Sequence, residues 1–223
     1  MSLNLGSDRG FTLAELMIST LVTTMVLGGA VMMTSQVQQS FRRQIEDSAG
    51  EQEGRYALEW VSRMIRAAGN NPYALPQNPG DTSACPAAGT AYAWLIMDPN
   101  ADGIDNDVRL QTDSNPPDGL LGGPAGTCSQ ANEDVTVSFD AGTNSITFLD
   151  NNLGGSASIR TDAVIESLLF VFKDVSHVPT VTAANVVYVE TQVTVRTRTV
   201  NASTGLPETR LLTQEVRVRG RNY

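Results

Sequence analysis

Lysine is almost missing from this chain of 223 residues: Lys173 is the only one, and arginine supplies the other cations. With 15 basic against 24 acidic residues the formal net charge is −9. That balance leaves no room for the clustered Lys and Arg that proteins use to engage phosphate backbones, so nucleic acid is not an expected partner. Histidine is equally scarce. His177, the sole one, lies in the stretch 174–179 without companion Cys, Ser or metal-ligand residues. A Gly-rich phosphate loop, a Cys-x-x-Cys pair and a His-Glu-x-x-His motif are all lacking. Carboxylates are plentiful, but every acidic protein offers a glycosidase-like pair, and no catalytic residues are assigned. Proline is absent from Phe11 through Asn71, so nothing forces a helix to break anywhere in that span.

What is present defines a folding chain. Hydrophobic residues make up 41% and charged residues 17%, which excludes a disordered or collagen-like polymer and fits one domain with a proper core and an attached extension. Residues 11–33 are apolar or weakly polar, with Glu15 as their only charge. That is long enough to cross a bilayer as a helix. The stretch before it is very short and no small-x-small site follows it, so an ordinary secretory signal does not fit. Helical patterning continues past the apolar run. Tyr56, Trp60, Val61, Met64, Ile65 and Ala68 form a stripe, and Glu51/Arg55 and Glu59/Arg63 stand four apart as expected ion pairs. Gly69, Asn70, Asn71 and Pro72 are a stop signal. Gly28, Gly29, Gly50 and Gly54 are the points where such a helix could bend or melt. The expected organisation is a leader at 1–10, a transmembrane half at 11–33, an amphipathic half at 34–69 and a β-rich head at 70–223.

Around Arg9, Gly10, Phe11 and Glu15 the sequence RGFTLAEL resembles the class III signal of type IV prepilins. It combines a short hydrophilic leader, Gly-Phe, a glutamate as fifth residue after the glycine and an apolar run. The resemblance implies that prepilin peptidase cuts between Gly10 and Phe11 and that the new N-terminal Phe11 is methylated. It also implies that Glu15 registers the subunit during assembly. A carboxylate inside a membrane helix costs on the order of 2.5–3.5 kcal/mol on insertion scales, and the cationic amine at Phe11 of a neighbouring subunit would relieve it. A plainer account is a first-turn glutamate favoured by the helix dipole and snorkelling to the interface.

In the head, residues 72–132 are rich in Pro, Gly, Asn and Asp around a short apolar island at 91–97 and read as a long irregular connection. Strand patterns follow at 135–139, at 146–149 after a turn at 140–144, and at 164–172. Val187, Val189, Thr191, Val193 and Val195 alternate with polar neighbours, and after the turn-rich stretch 201–208 the run Leu212, Gln214, Val216, Val218 alternates again, as a terminal hairpin requires. Asn201-Ala202-Ser203 formally matches a glycosylation acceptor within that turn. The fold class expected is α+β, a long N-terminal helix packed on an antiparallel sheet, which is the type IV pilin fold. Residues 55–69, 164–172 and 216–223 also resemble the PilW-like minor pilins and the J-type pseudopilin of type II secretion. The partners this implies are other minor and major pilins, prepilin peptidase, the inner-membrane assembly platform and the membrane itself. The implied location is the inner membrane with the head in the periplasm, then the pilus or pseudopilus.

Two further sets stand out. Cys85 and Cys128 both follow the apolar segment and share one compartment. An oxidising periplasm would pair them, and the alternative is two unrelated thiols. Asp98, Asn100 and Asp102 precede Gly103 at the first, third and fifth positions of an EF-hand-like loop, with Ile104 placed to offer a backbone carbonyl. Arg109 stands where a glutamate would close such a loop, so Asp105 or Asp107 would have to substitute. Calcium is the cofactor expected if this is a site, and a solvated turn is the alternative. The functional expectation is a minor pilin that helps initiate a pilus near its tip. The alternatives are a minor pseudopilin, and a membrane-anchored calcium-dependent binding module or adhesin whose helix is only a tether.

Overall fold

The computed structural model describes residues 11–72, 92–114, 116–119, 121–123, 129–200 and 204–218. The chain divides into two compact units, Met1–Ile45 and Glu46–Tyr223. A single helix, α1 (Leu13–Ala67), runs without interruption through the proline-free region. Gly69 stops it: its φ of +80° places the backbone in the left-handed region that glycine adopts without strain.

In the first unit the apolar side chains are exposed, Phe11 at 85% and Leu16, Met25 and Met32 similarly. Four hydroxyls of this segment bond back to the helix's own carbonyls. Thr20 Oγ1 donates to the Met17 carbonyl, Thr24 Oγ1 to Thr20, Thr34 Oγ1 to Ala30 and Ser35 Oγ to Met32. A helix that is apolar on every side and closes its own hydrogen bonds is suited to a lipid environment. It is also the one described helix long and apolar enough to cross a membrane.

The second unit contains the core. The helix there buries Gly50, Gly54, Ala57, Leu58, Val61, Ser62 and Ile65, a 3.6-residue stripe. Trp60 and Met64 pack at its margin, whereas Tyr56 is 51% exposed and leaves the stripe expected of it. Ala57 and Leu58 take the inward places instead.

The single sheet expected from the strand patterns is two. The first is a five-stranded antiparallel meander of β1 (Leu95–Met97), β2 (Asp107–Gln111), β3 (Asp134–Asp140), β4 (Ser145–Asp150) and β5 (Ser158–Ile159), in that spatial order. Its register sets Val108 opposite Val137, and Val137 opposite Phe148. The second is three-stranded, β6 (Ile165–Lys173), β7 (Tyr188–Val200) and β8 (Pro207–Arg217). Here Phe172 faces Val189 and Val189 faces Val216. The alternation read for β7 holds, with Val187, Val189, Thr191, Val193 and Val195 all buried. The stretch 72–132 departs from the irregular connection expected, because β1 and β2 lie within it. Its Asp and Gly content hid a strand whose inward residues, Val108 and Leu110, are buried.

Both sheets meet the helix. The Trp60 ring stands edge-on to Phe148 of β4, centroids 5.7 Å apart. At Gly54, a Cβ would stand 2.6 Å from both Leu212 Cδ1 of β8 and Val195 Cγ1 of β7. Gly54 is therefore a point of close helix–sheet approach, and α1 continues through it without a break. Glu51 pairs with Arg210 of β8 rather than with Arg55, and Glu53 accepts the Asp162 N–H at 3.0 Å. The Glu59–Arg63 pair forms as expected, at 3.5 Å on the exposed face.

Candidate functional site

The N-terminal segment starts with Phe11, whose side chain lies open, and Thr12, which caps α1. Thr12 Oγ1 accepts the Glu15 N–H at 3.3 Å, while a Glu15 carboxylate oxygen accepts the Thr12 N–H at 3.0 Å and its hydroxyl at 2.9 Å. This reciprocal pair is a capping box. It satisfies orphan donors of the first turn and holds the Glu15 carboxylate at the helix N-terminus, where the dipole favours negative charge. Within one chain, then, Glu15 answers to its own first turn. Thr12 is the participant that the sequence reading passed over, although Thr-x-x-Glu ahead of an apolar run is the signature that marks it. Gly10 lies outside the described residues, as do Cys85 and Cys128.

A second candidate is the acidic loop between β1 and β2. Asp98 and Ala101 have φ of +45° and +58°, and Gly103 has +81°. These left-handed turns curl the loop around its first carboxylate: Asp98 accepts the Asp102 N–H at 3.1 Å and the Gly103 N–H at 2.9 Å. Asn100 Oδ1 also accepts the Asp102 N–H, at 3.0 Å, and Asp102 Oδ1 accepts that of Ile104, at 2.8 Å. The Ile104 carbonyl accepts the Asn106 N–H at 2.7 Å. Asp107, the first residue of β2, is only 2% exposed, and its Oδ1 has no hydrogen-bond partner. Burial, followed by the charge of Asp98 and then those of Asp102 and Asp105, pushes its carboxyl up to about 6, opposed by a hydrogen bond from the Asn100 backbone. Among the described residues, no three His, Cys, Asp or Glu side chains gather as a preformed metal centre. The carboxylate, amide and carbonyl oxygens of Asp98, Asn100, Asp102 and Ile104 each accept an N–H of the loop itself.

Arg109 does not neutralise this loop. Its Nε and Nη2 donate to the two carboxylate oxygens of the buried Asp134, at 2.7 and 2.5 Å. Gln111 and Asn151 donate to the same carboxylate, at 2.9 Å each. His177 stacks on Tyr188, centroids 4.1 Å apart, with Nδ1 2.7 Å from Glu215. It lies at the surface of the second sheet, away from both candidates.

The observations at the N-terminus define a class of segment: a capped, uninterrupted apolar helix behind a Gly-Phe junction. Residues 6–31 match the family model described as the prokaryotic N-terminal methylation motif, the class III signal of type IV pilin-like proteins. No curated protein and no solved structure matches the chain. The α+β architecture, with a long N-terminal helix on antiparallel sheets, agrees with the pilin fold.

Proposed function

We propose that the chain is a minor pilin: a membrane-stored structural subunit, not an enzyme, cut by prepilin peptidase between Gly10 and Phe11, methylated at Phe11, and assembled with other pilins near the tip of a type IV pilus. The observation that carries this reading is the methylation motif over residues 6–31 leading directly into the capped apolar helix. The same segment supports anchorage in a membrane, and the reading places that anchor in the inner membrane with the head in the periplasm. In assembly, the Glu15 carboxylate would exchange its bonds to Thr12 for the amine of a neighbouring subunit's Phe11. The physical basis of that exchange is that the capping bonds are local while the amine brings a full opposite charge.

The test is the intact mass of the protein taken from membranes of cells with and without prepilin peptidase. The expected result is loss of residues 1–10 plus one methyl group only when the peptidase is present. An unchanged mass would remove the argument for assembly and leave the tethered binding module. Replacing Glu15→Ala should leave processing intact and lower incorporation into filaments. Scoring surface pili against secreted enzymes in a deletion strain then distinguishes a pilus subunit from a minor pseudopilin of type II secretion.

A further inference from the structure

The acidic loop has a feature that a solvated turn does not explain. A turn made only for solvent would leave all its carboxylates exposed, as Asp102 and Asp105 are. Asp107 is instead buried to 2% exposure, close enough to the turn that the Asn100 backbone and the charges of Asp98, Asp102 and Asp105 act on its carboxyl. Its Oδ1 has no hydrogen-bond partner. A buried carboxylate oxygen left without a donor is costly, and like charges facing it add to the cost. The nearest cation along β2, Arg109, is already bound through both its Nε and Nη2 to Asp134.

We propose that residues 98–107 form a calcium site, with Asp98, Asn100 and Asp102 and the Ile104 carbonyl supplying oxygens from the turn, and Asp105 and the buried Asp107 supplying the carboxylates that close it. The donor chemistry selects the ion. All the donors are hard oxygens, they mix carboxylate, amide and backbone carbonyl, and they sit on a loop with three left-handed residues that can adjust. Calcium accepts six to eight such oxygens in loose geometry, whereas magnesium demands a tight octahedron and keeps its waters. Asp107 takes the closing role that Arg109, at the twelfth position, cannot.

The loop is also a clasp between the two sheets. The Asp105 carbonyl accepts the Phe170 N–H of β6 at 2.7 Å, and the Asn106 carbonyl accepts the Phe139 N–H of β3 at 3.1 Å. A cation that stiffens residues 98–107 therefore stiffens the junction of the sheets. Binding to the folded state alone raises stability with ligand concentration. The site is independent of the pilin reading, and either can fail without the other.

The experiment titrates calcium chloride into the full chain in detergent micelles, with magnesium chloride at matched ionic strength as control. Thermal unfolding and amide hydrogen exchange are followed together. Calcium should raise Tm by several degrees and slow exchange at the Phe139 and Phe170 amides, and magnesium should do neither to the same extent. Asp107→Asn should weaken calcium affinity by about tenfold or more. Asp102→Asn, at an exposed position, should weaken it in the same direction without putting folding at risk. An equal response to both salts, no response in a chain that circular dichroism shows to be folded, or unchanged affinity in Asp102→Asn would each overturn the proposal.

Discussion

Replacing Arg109→Met should destabilise the head by about 3 kcal/mol, the scale of breaking a buried ion pair by removing one partner. The figure follows from the geometry of Asp134. Its side chain is fully buried, and it accepts hydrogen bonds from both Nε and Nη2 of the Arg109 guanidinium, as a bidentate fork across β2 and β3, beside those from Gln111 and Asn151. Arg109 itself has its proton held more tightly than usual, chiefly by the hydrogen bond to Asp134. Methionine fills the stem volume but leaves the carboxylate with only the neutral amides of Gln111 and Asn151. The assay is urea unfolding of the full chain in detergent micelles, followed by far-UV circular dichroism, with stability taken from the linear extrapolation. Adding Asp134→Asn in the Arg109→Met background should recover a good part of the loss, because the uncompensated charge is then gone. A loss below about 1 kcal/mol, the value of a solvent-screened surface pair, would refute the claim that this ion pair ties the two strands from inside.

Two further perturbations test the packing and the pH response. Gly54→Val should destabilise the head by about 1–3 kcal/mol through overpacking, because even a Cβ meets the stiff Val195 at 2.6 Å; Gly28→Ala, with nothing within 4 Å, should be neutral or favourable to the helix. Equal effects at the two glycines in the same unfolding assay would contradict the close helix–sheet approach. Tyr92 has its phenol pushed up from 10.0, first by burial and then by Asp113 and Glu133. A group whose folded pKa is raised contributes stability that is full below its unfolded value and is lost as pH rises through the folded one. The head should therefore lose stability above about pH 10, and Tyr92→Phe should flatten that alkaline limb; an unchanged limb would show that Tyr92 is not its source.

Local signals were legible in the sequence because they depend on neighbours along the chain. The proline-free run, the apolar stretch and the stop at Gly69 define α1 without reference to anything else, and the alternation from Val187 to Val195 marks β7 and its inward face. The leader pattern around Gly10, Phe11 and Glu15 is local too, as is the capping pair of Thr12 and Glu15, which was present to be read. Tertiary structure decided what depends on residues far apart. Glu51 and Arg55 satisfy the four-residue rule, yet Glu51 goes to Arg210, because β8 brings a cation to that face of the helix and a lone helix cannot reveal it. Spacing alone puts Tyr56 on the inward stripe, but that stripe is set by which side meets the two sheets, and it runs through Ala57 and Leu58. The strand β2 was hidden within a stretch rich in turn-forming residues; its pairing with β3 and the burial of Val108 and Leu110 make it a strand. The acidic loop shows the division most plainly. Residue spacing placed Asp98, Asn100 and Asp102 on one turn, but only the fold buries Asp107 beneath them and commits Arg109 to Asp134. Burial and charge compensation belong to the whole packed molecule, and no window of sequence contains them.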